Sequence, residues 1–260
     1  MEIKKQISDN LPENIVLIAE NLKKTYSKTG NTALKDFSLN IKESEIFGLL
    51  GPNGAGKTTV ISIMSSLIQP DRGQVRICGI DVFKHPAKAR NCFGLVPQDI
   101  ALYPDLTARE NLMYFGRMYG LMGKKLKTRV MESLELAGLA QKADQRISTY
   151  SGGMKRRANL AASILHKPCL IFLDEPTVGI DAQSRNMILE KLVLLRQEGI
   201  SMVYTTHYME EAEMLCTQVG IIDEGEIIIK GEPGQLIEKE PDCNNLGDLF
   251  LKLTGRKLRD

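Results

Sequence analysis

The stretch GPNGAGKTT, residues 51–59, constrains this chain more than any other part of it. It follows the apolar run Ile46–Leu50, which reads as a strand, and precedes Val60, Ile61, Ile63, Met64 and Leu67, which read as a helix. A glycine inside a helix costs about 1 kcal/mol relative to alanine, so three glycines at the start of a buried helix need a reason. Gly51, Gly56, Lys57 and Thr58 fit G-x-x-x-x-G-K-[ST], and a strand before with a helix after is the setting in which that pattern has a mechanism. Glycines let the backbone curl until successive N–H groups point at one anion. The helix N-terminus adds its dipole at the same point. Lys57 then reaches terminal phosphates, and the Thr58 hydroxyl is placed to hold Mg²⁺. A glycine-rich turn of no consequence would match the four positions in roughly one chain of this length in a hundred, and the flanking elements make it rarer still. The turn is therefore expected to hold a polyphosphate.

The rest of the chain can support such a site. Its 260 residues suffice for one large domain or two small ones, with a core that needs no staples. The composition, 43% hydrophobic and 25% charged, is that of an ordinary globular protein. A formal net charge of +2 gives no reason to expect a nucleic-acid partner. Basic residues gather at Lys124–Arg129, read as a solvated face, and at Arg256–Arg259. The five cysteines, Cys78, Cys92, Cys169, Cys216 and Cys243, are widely spaced and suit a reducing compartment, not a disulfide scaffold. Three scattered histidines have no metal-site spacing. The opening MEIKKQISDN lacks the apolar core of a signal peptide. No stretch reaches the ~18 uncharged apolar residues of a membrane helix, so a cytosolic chain able to dock onto a membrane protein is expected.

Short apolar, β-rich runs recur at Ile15–Ile18, Phe37–Ile41, Ile46–Leu50, Phe93–Val96, Leu170–Leu173, Met202–Thr205, Val219–Ile222 and Ile227–Ile229. Helical patterns separate many of them: Thr58–Ile68, Ala108–Tyr119, Lys124–Ala137, Gly152–Leu165 and Ala182–Glu198. This alternation predicts an α/β fold with a mainly parallel sheet. The first forty-odd residues, rich in strands and turns, predict a small antiparallel sheet. Tyr103–Ser148 reads as helix after helix and predicts a helical insertion into the α/β core.

Two further stretches bear on chemistry. Leu170–Leu173 is apolar throughout, as a strand covered on both faces should be, and runs directly into Asp174 and Glu175. Paired carboxylates there are costly unless a cation or polar partner awaits them, and the carboxyl ends of parallel strands form the ligand crevice. With a phosphate-binding turn in the same chain, Asp174 suits a phosphate-bound Mg²⁺ and Glu175 suits a base acting on water. An ordinary acidic turn ahead of Pro176 is the alternative. The second stretch is YSGGM, residues 150–154, at the head of a helix. Ser151 is a good N-cap. Gly152 and Gly153 are not needed for capping, so this is a second anion-ready helix start or a loosely capped helix.

Taken together, these motifs resemble those of the ATP-binding-cassette (ABC) ATPases, along nearly the whole chain. GPNGAGKTT matches the family's Walker A loop, YSGGM its signature motif (usually LSGGQ), and LIFLDE its Walker B strand with the catalytic glutamate. Gln98 in LVPQD falls at the Q-loop, Asp181 in VGIDA at the D-loop, His207 in YTTHYMEEAE at the switch histidine, and Tyr26 in LKKTYS at the aromatic residue stacked on adenine. Met154 stands where the signature motif usually has glutamine, and VGID replaces the commoner SALD.

The resemblance implies a P-loop NTPase (RecA-like) core, an N-terminal antiparallel β subdomain and an inserted helical subdomain at about 100–160. One nucleotide-binding domain would cover 13–240, with a short tail over 241–260. It implies ATP and Mg²⁺ as ligands. Gly51, Pro52, Asn53, Gly54, Ala55, Gly56, Lys57, Thr58 and Thr59 would hold the phosphates, and Tyr26 the adenine. Thr58, Gln98 and Asp174 would serve the metal. Glu175 would be the general base, with His207, Lys57 and Gln98 completing the catalytic set. Ser151, Gly152 and Gly153 would close over the ATP of a second copy in a head-to-tail dimer, and Asp181 would be a further nucleotide-binding residue. A separate integral membrane permease would be the other partner, gripped near Asp99–Tyr119, with the chain peripheral at the cytoplasmic membrane face. The methionine-bearing signature and the tail LGDLFLKLTGRKLRD resemble the bacterial drug-export and antibiotic-resistance branch, which implies an exporter ATPase. A soluble ABC ATPase (translation factor or iron–sulfur assembly) and an importer ATPase are the alternatives.

Overall fold

A computed structural model describes residues 14–27 and 30–255. The opening decapeptide and the Arg256–Arg259 cluster lie outside the described residues. The chain begins with two long strands, β1 (Ile15–Tyr26) and β2 (Asn31–Lys42), paired antiparallel from Tyr26↔Asn31 to Ile15↔Lys42. β3 (Ile46–Leu50) then enters a second sheet, and the 51–56 turn leads into α1 (Lys57–Met64). β4 (Arg72–Ile77) and β5 (Ile80–Asp81) return to the first sheet, which has the order β2-β1-β4-β5. A four-residue turn of helix, α2 (Pro86–Ala89), precedes β6 (Phe93–Val96).

The main sheet is completed by β7 (Leu170–Asp174), β8 (Ser201–Thr206), β9 (Gln218–Asp223) and β10 (Glu226–Gly231), in the order β10-β9-β3-β8-β7-β6. All neighbours are parallel except β10, which closes one edge antiparallel to β9. Every residue of β3, β7 and β8 is buried, the signature of central parallel strands covered on both faces. One core lies between the main sheet and the antiparallel sheet, joining Phe47, Leu49 and Phe172 to α1 and to Leu17, Leu22 and Phe37. The other covers the opposite face with α6 (Ala182–Gln197), α7 (Met209–Leu215), α8 (Pro233–Glu238) and α9 (Leu246–Thr254). Each aliphatic or aromatic side chain buried there contributes about 1.5–3 kcal/mol.

Register decides where the chemistry falls. Leu50 is level with Thr206 across β3 and β8, and Asp174 is level with Thr205 across β7 and β8. The residues that follow these aligned ends, Gly51, Glu175 and His207, therefore emerge at one edge of the sheet.

The helical insertion has its own core. α3 (Ala108–Met118) starts at a capping box: Glu110 N–H donates to Thr107 Oγ1, and Thr107 N–H donates to the Glu110 carboxylate. α4 (Gly123–Leu136), two 3₁₀ turns at Ala140–Lys142 and Ile147–Thr149, and α5 (Gly152–Ser163) follow. Leu112, Leu126, Val130, Leu134, Ala158, Ala161 and Leu165 pack together inside.

The structure departs from the sequence reading in several places. The antiparallel sheet recruits β4 and β5 from beyond α1; only Val75 and Ile77 of β4 are buried, so its pattern is too polar to signal a strand. α1 ends at Met64, where the Ser65 hydroxyl bonds back to the Ile61 carbonyl and Ser66 takes φ +58°. The short helix α7 and the C-terminal α9 were not expected. Leu246, Leu249 and Phe250 of α9 are wholly buried in the second core. Cys78, in the β4–β5 turn, and Cys169, just before β7, bring their sulfurs together where the two sheets meet. Cys92, Cys216 and Cys243 are free and buried.

Candidate active site

The turn between β3 and α1 takes a shape only glycine allows at two points. Gly54 and Gly56 have φ of +84° and +108°. A Cβ at Gly56 would also stand 2.6 Å from the Ala33 carbonyl oxygen, and one at Gly51 would stand 2.3 Å from that of Ile222. Gly56 occupies the N-cap of α1 with no side chain capping the helix, so the first amides of α1 are left for another acceptor. Ala55 fixes the turn to its surroundings: its N–H donates to the Pro52 carbonyl, and its carbonyl accepts from Gly225 N–H at the β9–β10 turn.

Lys57 is only 6% exposed. Its ammonium donates to the carbonyls of Gly51 (2.7 Å) and Pro52 (3.2 Å), which fold it back over the turn. Burial lowers its pKa, and the nearby Glu175 and Asp174 carboxylates partly counter this. Asp174 is raised by burial, against hydrogen bonds from the Thr205 and Thr58 hydroxyls that favour its charged form. The Thr205 Oγ1–Asp174 Oδ1 distance is 2.7 Å. Thr205 also accepts from the Glu175 N–H at 2.9 Å. That bond helps hold Glu175 at φ +47°, a left-handed conformation that costs a non-glycine residue about 1–3 kcal/mol and recurs at functional sites. His207 Nδ1 lies 3.4 Å from Glu175 Oε2. The Tyr26 hydroxyl meets Thr59 Oγ1 at 3.2 Å, so the last residue of β1 stands against the first turn of α1.

Lys57, Thr58, Asp174, Glu175 and His207 are thus drawn together from three strand ends. Thr58 and Asp174 form an oxygen-only donor set, with a buried carboxylate whose charge is costly unless a cation neutralises it, and such a set fits Mg²⁺. Among the described residues no cluster of three or more His, Cys, Asp or Glu side chains is arranged for a metal. The exposed Gln98 follows β6, and its carbonyl accepts from Arg156.

A second group forms around the head of α5. Ser151 caps that helix, accepting from Met154 N–H, and remains exposed. Gly153 is buried, and a Cβ there would stand 2.1 Å from Ser184 Oγ. Gly152 lies beside the Gly179 carbonyl and Ile180. Asp181 caps α6 through Ser184, whose N–H (2.8 Å) and hydroxyl (2.7 Å) both donate to its carboxylate. The Ser184 N–H holds the Asp181 pKa below the ordinary value. One reason for the second glycine is therefore close packing within this chain.

Three residues at the site escaped the sequence reading. Thr205 links the Asp174 carboxylate to the Glu175 backbone N–H at the β7 end; two buried threonines closing the apolar strand SMVYTT were its signal. Arg156 donates to the carbonyls of Gln98 and Val178, tying α5 to the turn after β6 and to the loop after β7. Ser184 packs against Gly153 and holds Asp181. Nothing local in the sequence marks either of these two.

Comparison with known proteins agrees with this geometry. The family model described as ABC transporter matches residues 34–178. The linearmycin resistance ATP-binding protein LnrL of Bacillus subtilis (strain 168) is 51% identical over 240 residues, 92% of this chain and 75% of that protein. A Nod factor export ATP-binding protein I of Paraburkholderia xenovorans (strain LB400) is 43% identical over 225 residues, 86% of this chain and 73% of its own length. Among solved structures, a dimeric ATP-binding cassette in a post-hydrolysis state, bound to ADP and Pi, superposes with a TM-score of 0.75 at 28% identity, covering 83% of this chain and 98% of that one.

Proposed function

The chain belongs to the ABC transporter ATP-binding family, and we propose that it powers an exporter whose membrane-spanning permease is a separate polypeptide. It is an ATP-hydrolysing subunit of an ABC transporter. The observation that carries the site assignment is the meeting of Lys57, Thr58, Asp174, Glu175 and His207 at aligned strand ends.

In this reading the amides of residues 51–59 and the Lys57 ammonium hold the phosphates, and Tyr26 packs on the adenine. On ATP binding Lys57 exchanges its two carbonyl partners for phosphate oxygens. Thr58, Asp174 and Gln98 would hold Mg²⁺, which would supply neutralisation of phosphate charge. Glu175 accepts a proton from the water that attacks the γ-phosphorus as the bond to ADP breaks. His207, beside Glu175, contacts the γ-phosphate, and Lys57 and the turn amides stabilise the charge on the departing ADP.

Support for an exporter comes from the relatives, two of which are named for linearmycin resistance and Nod factor export. Among the described residues no helix is long and apolar enough to cross a membrane. In this reading the permease would hold the chain at the cytoplasmic face of the membrane. The exposed rings of Tyr103 and Tyr114, packed with Phe115 where the helical insertion begins, give that partner an aromatic landing point within Asp99–Tyr119. Ser151, Gly152 and Gly153 are assigned to the ATP of a second copy, in keeping with the dimeric cassette to which the chain is similar, and Asp181 to nucleotide binding.

The deciding experiment is Glu175→Gln in the purified chain. The variant should bind ATP, form an ATP-stabilised dimer and lose turnover by at least about a hundredfold; parental turnover would refute the base assignment. Co-purification from gently solubilised cells tests the transport role. A stoichiometric multi-span membrane protein supports it, whereas ribosomes or iron–sulfur-assembly proteins without a membrane partner would overturn it.

A further inference from the structure

A buried carboxylate that this mechanism does not use sits behind the reacting groups. Glu211, on α7, is 4% exposed. Its Oε2 accepts from the hydroxyls of Tyr204 (2.6 Å), Thr177 (2.9 Å) and Thr206 (3.2 Å). Its Oε1 lies 3.2 Å from Arg185 Nε. These partners come from three other segments. Thr177 belongs to the loop between Glu175 and Asp181, Tyr204 and Thr206 belong to β8, and Arg185 lies in the first turn of α6, which Asp181 caps.

Each link ends next to a residue of the site. Thr177 is two residues past Glu175, and Thr206 immediately precedes His207. The Thr206 hydroxyl also accepts the Tyr208 N–H at 3.0 Å, fixing the backbone on the far side of His207. The Arg185 guanidinium lies 4.7 Å from the centre of the Tyr208 ring, which packs 4.3 Å from the His207 ring. A carboxyl group is buried only at a cost that its partners must offset, and an apolar side chain of similar volume would hold a core together at least as well. What the carboxylate adds is direction: one oxygen gathers three hydroxyls into a fixed arrangement.

We propose that Glu211 is a positioning residue for ATP hydrolysis, fastening the loop that carries Glu175 and Asp181 to the strand end that carries His207. The inference rests on the roles assigned above to Glu175 and His207. Those groups must be held to within a fraction of an ångström of the productive geometry, because a misplacement near 1 Å costs about a hundredfold in rate.

The test is steady-state ATPase kinetics of Glu211→Gln, Thr177→Val and Thr177→Ser, with Glu175→Gln as reference and melting temperature measured alongside. Glutamine keeps the volume of Glu211, but its amide nitrogen cannot accept from the hydroxyls, and turned to Arg185 it sets donor against donor. Valine keeps the shape of Thr177 without its hydroxyl, and serine keeps the hydroxyl. We expect Glu211→Gln to lower kcat at least about tenfold with KM for ATP within about twofold, since the phosphate turn is untouched. Thr177→Val should slow turnover several-fold and Thr177→Ser should restore it. The double variant should be no slower than Glu211→Gln alone, as for groups acting through one contact. A folded Glu211→Gln protein with near-parental kcat overturns the proposal. So do equal losses in Thr177→Val and Thr177→Ser, or losses in kcat that merely track the melting temperature. Should Glu211→Gln fail to fold, Thr206→Val against Thr206→Ser supplies the same contrast. If Glu175→Gln keeps parental turnover, the base assignment falls on its own. A slow Glu211→Gln then still supports the fastening of His207, and a parental one overturns it.

Discussion

His166, just beyond α5, should make the stability of this protein depend on acid in a way one substitution removes. Its ring stacks on Tyr119 at 3.7 Å and 9°, and Nε2 lies 2.9 Å from the Phe93 carbonyl, which can only accept, so Nε2 carries the hydrogen. Burial lowers its pKa from 6.5 to about 4, the Phe93 hydrogen bond acting against this and the nearby Arg129 adding to it. The folded protein therefore keeps a neutral ring at a pH where the unfolded chain has already taken up a proton. Stability is lost as pH falls from about 6.5 toward about 4 and levels off below. At 1.36 kcal/mol per pH unit the full loss is about 3 kcal/mol, of which ~2.4 kcal/mol appears between pH 7 and pH 4.5. That corresponds to a fall in Tm of roughly 5–10 °C for a chain of this size. His166→Phe keeps a ring over Tyr119 but does not titrate. It should start lower at pH 7 by about 1 kcal/mol, for the unpaired Phe93 carbonyl, and then lose ~2.4 kcal/mol less than the parent on acidification. Urea denaturation of both proteins at pH 7 and pH 4.5 measures this. Other acid-sensitive groups act equally in the two, so parallel losses would refute the assignment of a buried neutral His166.

The glycines of the phosphate turn should separate by environment. Gly54→Ala meets open space and only a strained φ, costing about 1 kcal/mol, whereas Gly56→Ala adds a 2.6 Å clash with the Ala33 carbonyl and should cost at least ~3 kcal/mol, read by thermal melting with and without ATP. Gly153→Ala should displace Ser184, disturb the Asp181 cap and cut turnover about tenfold or more with little change in ATP affinity. Adding Ser184→Gly removes the clash and should recover part of the rate; no recovery would mean that Gly153 matters for a reason outside this chain's own packing.

How far the sequence reveals this protein depends on whether the determining residues are neighbours in the chain. The turn at 51–59 carries its reason within nine residues, because the curled backbone and the helix start it feeds are local. The strands β3 and β7 are legible because two-sided burial leaves an unbroken apolar run. β4 and β5 are not, because they lie toward one side of a small, half-exposed sheet and show almost no pattern. α9 carries Leu246, Leu249 and Phe250 on one face, a pattern within reach of sequence reading but spread over barely more than two turns.

The same distinction runs through the site. The residues assigned to nucleotide chemistry sit in short motifs whose composition is odd enough to notice, such as paired carboxylates at the end of a buried strand. The residues that hold them in place, Thr205, Arg156, Ser184 and Glu211, are common types whose partners lie in other segments. For Gly153 the two kinds of reason overlap. A helix start that would face a partner's phosphate and a packing surface that accepts only a hydrogen at Cα both select glycine, so the motif alone cannot separate them. Substituting Ser184 can, because it relieves the second reason and leaves the first intact.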